Sequence, residues 1–370
     1  MVSQKNFELK ICQSCVMIST RPRISFDKKG FCNACQWKIK KKKINWKKRE
    51  LEFIDLANRI RSKKKNFDIV VPVSGGKDSC YVAYNLKYKY KLNPVFVTVN
   101  PPLHTTIGKK NLQNFIKKGF NLISLDPNPL TMQKINKEGL VSFGQPYYGW
   151  LTGIHTAVFN LASKLGIDLI MYGEDGEVEY GGTTKTQNQF LYDNKYVEQV
   201  YLSDVYKKIF GKVKIFQDDK FFYELNFSKK IKHSHYSYFE NWDPYRNYLF
   251  AKEKFDMQED SKTSASTFTN FAQTDQKLYG LHTYFMFLKF GFGRSSQDAG
   301  IEVRRGAMTR DQAIALVQLY DHLFPKKYLK EYLDYFSIDN NKLNKIIDKF
   351  ANRKVLVKEK KCWKQNFKYI

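Results

Sequence analysis

No run of about 18 apolar residues occurs in the 370-residue sequence, so we expect no membrane-spanning helix. The first six residues, MVSQKN, contain no apolar stretch, and we therefore expect no secretory signal and a cytoplasmic protein. Acidic residues are also scarce, since 36 Asp and Glu stand against 63 Lys and Arg, giving a formal charge of +27. What remains is a basic chain with 42% hydrophobic residues, long enough for one large α/β domain and an added module.

Arginine is rare, because only 11 of the 63 basic residues are Arg and the other 52 are Lys. A strong positive charge suggests a nucleic-acid partner, whereas a lysine-rich, arginine-poor composition is also typical of a solvated surface. We favour the solvated surface and expect no nucleic-acid partner. The densest basic run, Lys38 to Arg49, is followed by Lys63, Lys64 and Lys65, and we interpret it as a helical linker, with docking of a partner as the alternative.

Cysteine is absent from residues 81–361, and four of the six cysteines lie within residues 1–36. They form two Cys-x-x-Cys pairs separated by 16 residues, Cys12 with Cys15 and Cys32 with Cys35. This spacing is typical of a four-cysteine zinc ribbon, in which each pair holds one side of the ion. Disulfides are not expected in a chain without an export signal, and an iron–sulfur cluster is the alternative metal group. We predict a structural Zn²⁺ site.

Strand-like and helix-like segments alternate from residue 67 to about residue 185. Apolar runs typical of buried parallel strands alternate with helix-like segments, the strands at 67–73, 94–99, 121–125 and 168–172 and the helices at 80–90, 109–118 and 150–165. The alternation predicts an α/β fold, a parallel twisted sheet with helices on both faces. Ligands bind such sheets at the carboxyl ends of the strands, so the loops after Val73, Val99 and Tyr172 should converge on one site.

The domain organisation follows from these patterns. We predict a zinc ribbon at 1–36, a basic helical linker at 37–66, the α/β core at 67–185 and a mostly helical region that binds substrate or partner at 186–370. In the last region strand signals thin out, and helices are expected at 309–323, 326–336 and 340–350. Thr309 and Asp311 are candidate caps of the first of these helices.

The loop after the first predicted strand has the pattern of a phosphate-binding turn. Glycines let a backbone approach phosphates closely, and successive amides at a helix N-terminus attract anions. Serine hydroxyls and a lysine can bind the phosphates, whereas a carboxylate at this place suits the Mg²⁺ that accompanies a nucleotide. The spacing is not that of the Walker loop. We predict a pyrophosphate-binding loop for ATP that consists of Ser74, Gly75, Gly76, Lys77, Asp78 and Ser79.

The loop resembles that of the ATP pyrophosphatase (PP-loop) superfamily, which has an adenine nucleotide α-hydrolase-like fold and splits ATP between the α and β phosphates. The resemblance implies that Asn100, at the end of the second strand, lies where adenine binds. It also implies that Gly173 and Glu174 border the nucleotide and that Glu174 is a second Mg²⁺ ligand, with a solvated loop carboxylate as the alternative. The predicted catalytic residues are therefore Lys77, Asp78 and Glu174.

A more specific resemblance covers nearly the whole chain. Besides CQSC, CNAC and VPVSGGKDS, its motifs are YGEDGEVEYGG at 172–182, NWDPYRNYLFAKEKF at 241–255, GFGR at 291–294 and RRGAMTRDQA at 304–313. They resemble the N-acetyl sugar amidotransferases of bacterial surface-polysaccharide biosynthesis, which act in LPS O-antigen and in pseudaminic or legionaminic acid pathways. This resemblance implies an ATP-dependent, AMP-forming conversion of a sugar acetamido group to an acetamidino group through an O-adenylated imidate.

The same resemblance implies partners. No cysteine lies in a glutaminase-type Gly-x-Cys-x-Gly setting, so ammonia is expected through a channel from a separate glutaminase subunit, with a cyclase-like subunit, both similar to those of imidazole glycerol phosphate synthase. The expected substrate is an acidic nucleotide sugar or a nonulosonate. Its predicted contacts, with ion pairs and core packing as the alternatives, are Gln145, Tyr147, Glu177, Tyr180, Trp242, Arg246 and Arg294.

A tRNA-thiolating enzyme of the PP-loop superfamily is the alternative function. The charge of +27 would suit tRNA, and some of these enzymes also carry an N-terminal zinc ribbon. They need cysteines in the catalytic domain to carry sulfur or hold a cluster. Because residues 81–361 contain none, we favour the amidotransferase.

Overall fold

The computed structural model describes residues 8–61, 66–272, 274–360 and 362–369. The expectations for residues 1–6 and for Lys63, Lys64 and Lys65 lie outside these ranges. The described residues form seven strands, β1 (Ile69–Pro72), β2 (Pro94–Val99), β3 (Leu122–Leu125), β4 (Leu169–Tyr172), β5 (Lys232–His235), β6 (Leu356–Glu359) and β7 (Cys362–Gln365).

Six 3₁₀ or π segments and sixteen α-helices accompany these strands in the described part of the chain. In chain order they are α1 (Asn33–Lys41), α2 (Trp46–Arg61), α3 (Lys77–Tyr84), α4 (Thr106–Lys117), α5 (Pro129–Phe143), α6 (Tyr148–Lys164), α7 (Gly176–Tyr180), α8 (Asn194–Tyr196), α9 (Val205–Phe210), α10 (Lys220–Tyr223), α11 (Pro244–Phe255), α12 (Lys277–Phe290), α13 (Arg294–Arg305), α14 (Arg310–Tyr320), α15 (Leu329–Phe336) and α16 (Asn340–Phe350). None of these helices combines the length and apolarity that crossing a membrane requires.

Five strands form one parallel sheet in the order β3-β2-β1-β4-β5. Val70 of β1 pairs with Val95 of β2 on one side and with Ile170 of β4 on the other. The chain runs outward from β1 to β3 and then returns to β4 on the opposite side of β1. Such a reversal leaves a crevice at the carboxyl ends of the two central strands, where ligands bind. The predicted parallel α/β sheet is confirmed.

Apolar side chains cover both faces of the sheet. Successive residues of a strand point to opposite faces, so Ile69 of β1 belongs to the same core as Phe255 of α11, whereas Val70 belongs to the core that contains Ala157 and Phe159 of α6. The helices therefore lie on both faces, as the alternation of segments predicts. The sheet sits between these two cores, and its carboxyl edge is left for polar residues.

The sheet extends beyond residue 185, the predicted end of the core, because β5 lies at 232–235. This strand has the sequence KHSH, which contains no apolar residue and gives no hydropathic strand signal. It is buried because its polar side chains have aromatic neighbours: the rings of His233 and His235 stack on Tyr192 at 5.4 and 5.3 Å. The antiparallel hairpin of β6 and β7 also lies in the region expected to be mostly helical.

The C-terminal helices form a core of their own. Leu281, Phe285 and Leu288 of α12 pack with Tyr332 and Phe336 of α15. The three helices predicted in this region are present as α14, α15 and α16. Thr309 caps α14 in a capping box with Gln312, whereas Asp311, the other candidate, lies inside its first turn.

Candidate functional site

The phosphate loop connects β1 to α3 at the carboxyl edge of the sheet. Gly75 has a φ of +75°, and a Cβ there would lie 2.7 Å from the backbone nitrogen of Leu112 in α4. Only glycine permits both this conformation and this approach. Gly76 precedes α3, and Ser79 Oγ donates to the Gly76 carbonyl at 3.0 Å. The loop amides are thereby held at a helix N-terminus, where an anion is favoured.

A cavity of about 280 Å³ lies over this loop and has three walls. Ser74 and residues 76–79 form the first wall, and Glu174 and Tyr180, which follow β4, belong to the second. The third wall comes from the C-terminal part of the chain and includes Phe271, Asp275, Tyr279 and Arg294. The cavity thus joins the end of the central strands to a segment about 200 residues further along the chain.

Asp78 and Glu174, the predicted Mg²⁺ ligands, both line this cavity. Burial and the negative charge of Asp78 raise the pKa of Glu174 to about 7. Glu174 Oε1 is buried and has no hydrogen-bond partner among the described residues. A buried carboxylate oxygen without a protein donor, beside a second carboxylate, fits a divalent cation.

Lys77 and Asn247 flank Asp78. Lys77 Nζ forms an ion pair with Asp78, and Asn247 Nδ2 of α11 donates to Asp78 Oδ1 at 3.0 Å. Burial lowers the pKa of Lys77, but the negative charges of Asp78 and Glu174 raise it by a larger amount. The net shift of the pKa is upward, and Lys77 is charged at neutral pH. Asn247 is fully buried and orients the carboxylate. It lies in the NWDPYRNYLFAKEKF motif, but nothing in its local pattern distinguishes it from the neighbouring Arg246.

Three of the predicted substrate residues lie at the cavity or directly behind its wall, Tyr180 in the second wall, Arg294 in the third wall and Tyr147 behind the third wall. Tyr180 and Arg294 line the cavity. The Arg294 guanidinium lies over the ring of Tyr180 at 5.9 Å, and its Nε is 2.9 Å from Asp298 Oδ1. Tyr147 is only 8% exposed, and its ring stacks on that of Tyr279 at 5.9 Å, so it supports the wall from behind.

Four predicted contacts have partners elsewhere. Glu177 accepts two hydrogen bonds from Arg23, at 2.8 and 2.7 Å, and Trp242 is 4% exposed in the core behind Gly173. Arg246 forms an ion pair with Glu240 and does not line the cavity. Asn100 Nδ2 donates to Ser124 and Asp126, both at 2.7 Å, and lies outside the cavity lining. The structure thus does not bring these four residues to this cavity, because nearer polar or apolar partners hold them.

Gln145 is also absent from the residues that line the cavity. Its backbone nitrogen donates to the Gly139 carbonyl at 2.9 Å, which joins the end of α5 to the start of α6. Gly173, in contrast, is next to the site, since a Cβ at this position would lie 3.2 Å from Asp78 Cβ. The polar residues near the site that the sequence does not predict include Asp275, Tyr279 and Asn247. Asp275 and Tyr279 belong to no recognisable local motif, and Asn247 lies in a motif that does not single it out.

The four N-terminal cysteines form one cluster. Their sulfur atoms all lie within 4.8 Å of one another, and all four side chains are buried. The backbone amides of Ser14 and Cys32 point to Cys12 Sγ at 3.4 and 3.2 Å, and Arg304 lies 3.9 Å from Cys15 Sγ. These donors stabilise negative charge on sulfur. The cluster fits a four-coordinate metal ion such as Zn²⁺.

The ribbon and helix α1, which begins within it, contact the second wall of the cavity through α7. Arg23 binds Glu177, and Trp37 Nε1 and Lys41 Nζ bind Glu179 at 2.9 and 2.8 Å. Arg304, which also approaches the cysteines, donates to the Glu179 carbonyl at 2.9 Å. The metal cluster and the segment that carries Glu174 and Tyr180 are therefore parts of one packed unit.

The parallel sheet with a reversal of direction between β1 and β4, a glycine-rich loop after β1 and an acidic loop after β4 is the architecture expected of a PP-loop fold. Residues 265–368, which provide the third wall, match the family described as LPS biosynthesis protein WbpG-like, C-terminal domain. This match confirms the predicted resemblance to a family of bacterial surface-polysaccharide biosynthesis.

Comparisons with curated proteins and with solved structures do not identify the reaction. A search of curated proteins gives no match. Among solved structures, the U34-tRNA thiolase NcsA from Methanococcus maripaludis, determined with its [4Fe-4S] cluster, has 16% identity to this chain and a TM-score of 0.31. That alignment covers 81% of this chain and 88% of the thiolase. A likeness at this level carries no argument about the reaction.

Proposed function

We propose that this chain is an ATP-dependent amidotransferase of bacterial surface-polysaccharide biosynthesis. It converts an acetamido group of a sugar to an acetamidino group and releases AMP and pyrophosphate. One observation carries the proposal: the phosphate loop and two carboxylates share a cavity with a wall from the segment 265–368, which matches an LPS biosynthesis family. An enzyme that adenylates its own sugar substrate needs a nucleotide site and a substrate wall in one cavity.

Asp78 and Glu174 would hold Mg²⁺, because Glu174 Oε1 lacks a protein donor among the described residues and lies in the same cavity as Asp78. Bound there, Mg²⁺ neutralises negative charge on the phosphates of ATP. Asn247 keeps the Asp78 carboxylate in place through the bond to its Oδ1. The four cysteines would hold structural Zn²⁺ and contribute to folding of the N-terminal segment.

The loop and Lys77 act on the phosphates. The amide oxygen of the sugar N-acetyl group attacks the α-phosphorus, pyrophosphate leaves, and the amide N–H proton is released to the solvent, which gives a neutral O-adenylated imidate. The amides of Gly75 and Gly76 and the charged Lys77 stabilise the negative charge on the departing pyrophosphate. Catalysis of this step consists of positioning and electrostatic stabilisation.

Arg294 provides a positive charge at the third wall for an acidic sugar substrate. Its Nε lies 2.9 Å from Asp298, which fixes the guanidinium, and Tyr180 lies under its face. A fixed guanidinium binds a carboxylate or a diphosphate well, because two of its N–H groups donate in parallel. The acidic nucleotide sugar or nonulosonate is the substrate class that fits this wall.

Ammonia completes the reaction by displacing AMP from the imidate. We assign its supply to a separate glutaminase with a cyclase-like subunit, since the sequence contains no glutaminase nucleophile motif. Delivery through a channel would raise the local concentration of ammonia and keep water from the imidate.

The proposal is tested by incubating the purified chain with ATP, Mg²⁺, ammonium chloride and a panel of diacetamido sugars and their nucleotide derivatives. We expect sugar-dependent release of AMP and a product in which one oxygen atom is replaced by an NH group. Asp78→Asn and Glu174→Gln should abolish this reaction, whereas Asp334→Asn, a change at an exposed position on α15, should not. Formation of ADP, or release of AMP only when tRNA is added, would contradict the proposal.

A further inference from the structure

The third wall of the cavity carries a carboxylate, that of Asp275, which has no role in the adenylation step. Both cations that line the cavity are already paired, Lys77 with Asp78 and Arg294 with Asp298. No ion pair involving Asp275 occurs among the described residues. An anionic side chain that faces a cavity without a cation of its own favours a positively charged ligand.

Asp275 is held on a fixed backbone. Thr105 N, in the loop after β2, donates to the Asp275 carbonyl at 3.1 Å, and Lys277 N donates to the Leu103 carbonyl at 2.9 Å. Gly108 in the first turn of α4 makes this contact possible, because a Cβ there would lie 2.6 Å from Asp275 Cα. The backbone that carries this carboxylate is therefore held at the cavity wall, and a fixed backbone position favours action on a bound ligand.

Two tyrosines border Asp275. Burial raises the pKa values of Tyr147 and Tyr279, and the charge of Asp275 raises both further, so both phenols are neutral at neutral pH. Burial also raises the pKa of Asp275 itself. A carboxylate in such surroundings is stabilised by a proton or by a small cation. The other charged or titratable groups near it are Lys77, Asp78, His104, Glu174, Tyr180 and Arg294.

We infer that Asp275 binds ammonium in the cavity and removes its proton, so that neutral ammonia attacks the adenylated imidate. This inference rests on the proposed function and adds the base that its second step needs. Glu174 is less suited to this role because it lies with Asp78 and Lys77 at the phosphate end of the cavity. Asp275 and Arg294 belong to the segment 265–368, which provides the substrate wall.

The step balances in protons and electron pairs. One proton passes from ammonium to the Asp275 carboxylate, and the nitrogen lone pair forms a bond to the imidate carbon. The bond from this carbon to the AMP oxygen breaks, and its electron pair leaves on AMP. The amidinium product keeps the three hydrogen atoms of ammonia, and Asp275 returns its proton to the solvent. A raised pKa makes Asp275 a better base toward ammonium.

Two half-reactions separate this role from adenylation. Sugar-dependent exchange of labelled pyrophosphate into ATP reports adenylation in the absence of ammonia, and amidine formation from ammonium chloride reports the second step. Asp275→Asn should keep the exchange within about two-fold of wild type and lower kcat/KM for ammonium at neutral pH by about 10²-fold or more. The loss should shrink at alkaline pH near the pKa of ammonium, where free ammonia is abundant. Glu174 titrates in both proteins, so its effect cancels in the ratio of the kcat/KM of the variant to that of wild type. The pH dependence of this ratio therefore reports the contribution of Asp275.

Asp334→Asn is the matched control and should behave as wild type in both assays. Asp275→Glu, which keeps a carboxylate, should restore part of the ammonium reaction, and a thermal melt of each variant checks that it is folded. Should Asp275→Asn not fold, Asp275→Ser and Asp275→Glu are compared in the same two assays. If Asp275→Asn lost equal activity in both half-reactions, or if its kcat/KM for ammonium had the same pH dependence and magnitude as that of wild type, this inference alone would be overturned. A wild-type protein without sugar-dependent exchange would overturn the proposed function and this inference with it.

Discussion

At the residue scale, the two loop glycines, Gly75 and Gly76, have different structural surroundings. The sequence predicts that Gly75 and Gly76 let the backbone approach a nucleotide, and the structure shows that Gly75 also lets α4 approach the loop. The two glycines therefore differ, because only Gly75 combines a positive φ with a backbone neighbour at 2.7 Å. Gly76 has an ordinary extended conformation, and the nearest atom to a Cβ there is Ser74 Oγ at 3.3 Å.

Gly75→Ala should destabilise the protein by about 2–4 kcal/mol, since it adds left-handed strain to a clash with the backbone of α4. ATP affinity should fall as well. Gly119→Ala is the matched control, because Gly119 has a φ of +85° but no atom within 4 Å of its Cβ position. Gly119→Ala should lower the free energy of unfolding only by the strain of the left-handed conformation, about 1 kcal/mol. Urea unfolding measures the free energy of unfolding of both variants. Equal losses of stability in the two variants would show that the approach of α4 to Gly75 is unimportant.

Glu174 is expected to destabilise the folded protein at neutral pH when no cation is bound, because its charged form is buried. Its folded pKa of about 7 lies above the ordinary value of 4.5, so the stability that the protonated group provides is lost as pH rises from about 4.5 to 7. In the absence of Mg²⁺, Glu174→Gln should therefore melt at the same temperature as wild type or higher at neutral pH. Addition of Mg²⁺ and ATP should raise the melting temperature of wild type more than that of the variant. An equal rise in both proteins would contradict a role for Glu174 in holding the cation.

At the scale of elements, α7 is the connection between the ribbon and the cavity. It has only five residues, and Asp175 caps it by accepting from the amides of Glu177 and Val178. The contacts of Glu177 and Glu179 with the ribbon turn this short helix into a fixed part of the cavity wall. The sequence predicts the ribbon and the acidic loop separately, because the residues that join them are more than 100 positions apart.

Cys35→Ser should loosen α7 as well as the ribbon, because loss of one metal ligand removes the support of α1. We expect faster amide hydrogen exchange in residues 174–182 and an affinity for ATP that is lower by about ten-fold. Cys362→Ser, at an exposed cysteine of β7, is the control and should change neither. Unchanged exchange in residues 174–182 of Cys35→Ser would show that the ribbon does not position this wall.

At the scale of the whole molecule, burial of histidine makes the fold sensitive to acid. His155, His233 and His235 lie among Tyr172, Tyr192 and the other rings at the ends of β4 and β5. Burial lowers all three pKa values, and that of His155 falls to about 3. The unfolded chain takes up protons at these histidines near pH 6.5, before the folded chain does. Their contribution to stability is therefore complete above about pH 6.5 and is lost as pH falls below it.

His155→Gln should remove part of this acid sensitivity. Between about pH 6 and pH 4, the free energy of unfolding of wild type should fall more steeply than that of the variant, by up to about 1.4 kcal/mol per pH unit. His322→Gln, at a half-buried position away from the sheet, should change the slope less. Parallel pH profiles for wild type and His155→Gln, measured by denaturant unfolding, would contradict this account.

The sequence by itself determined the chemistry that depends on neighbouring residues. The strand followed by Ser-Gly-Gly-Lys-Asp-Ser and a helix, the two Cys-x-x-Cys pairs and the four apolar strands are local patterns, and β1 to β4, the loop and the cysteine cluster are found where they are predicted. Such features can be predicted because hydrogen bonding in a turn and metal binding by a cysteine pair need only a few consecutive residues.

Only the tertiary structure decided which polar side chains reach the cavity. Arg246 and Glu177 have the chemistry to bind a substrate, but each meets an opposite charge once the chain is folded. Asp275 has no local motif and reaches the site because Gly108, far earlier in the chain, lets its backbone approach. The strand β5 likewise needs distant tyrosines to bury its histidines. The physical reason is the same in each case: the environment of a polar side chain is set by residues that lie far away along the chain.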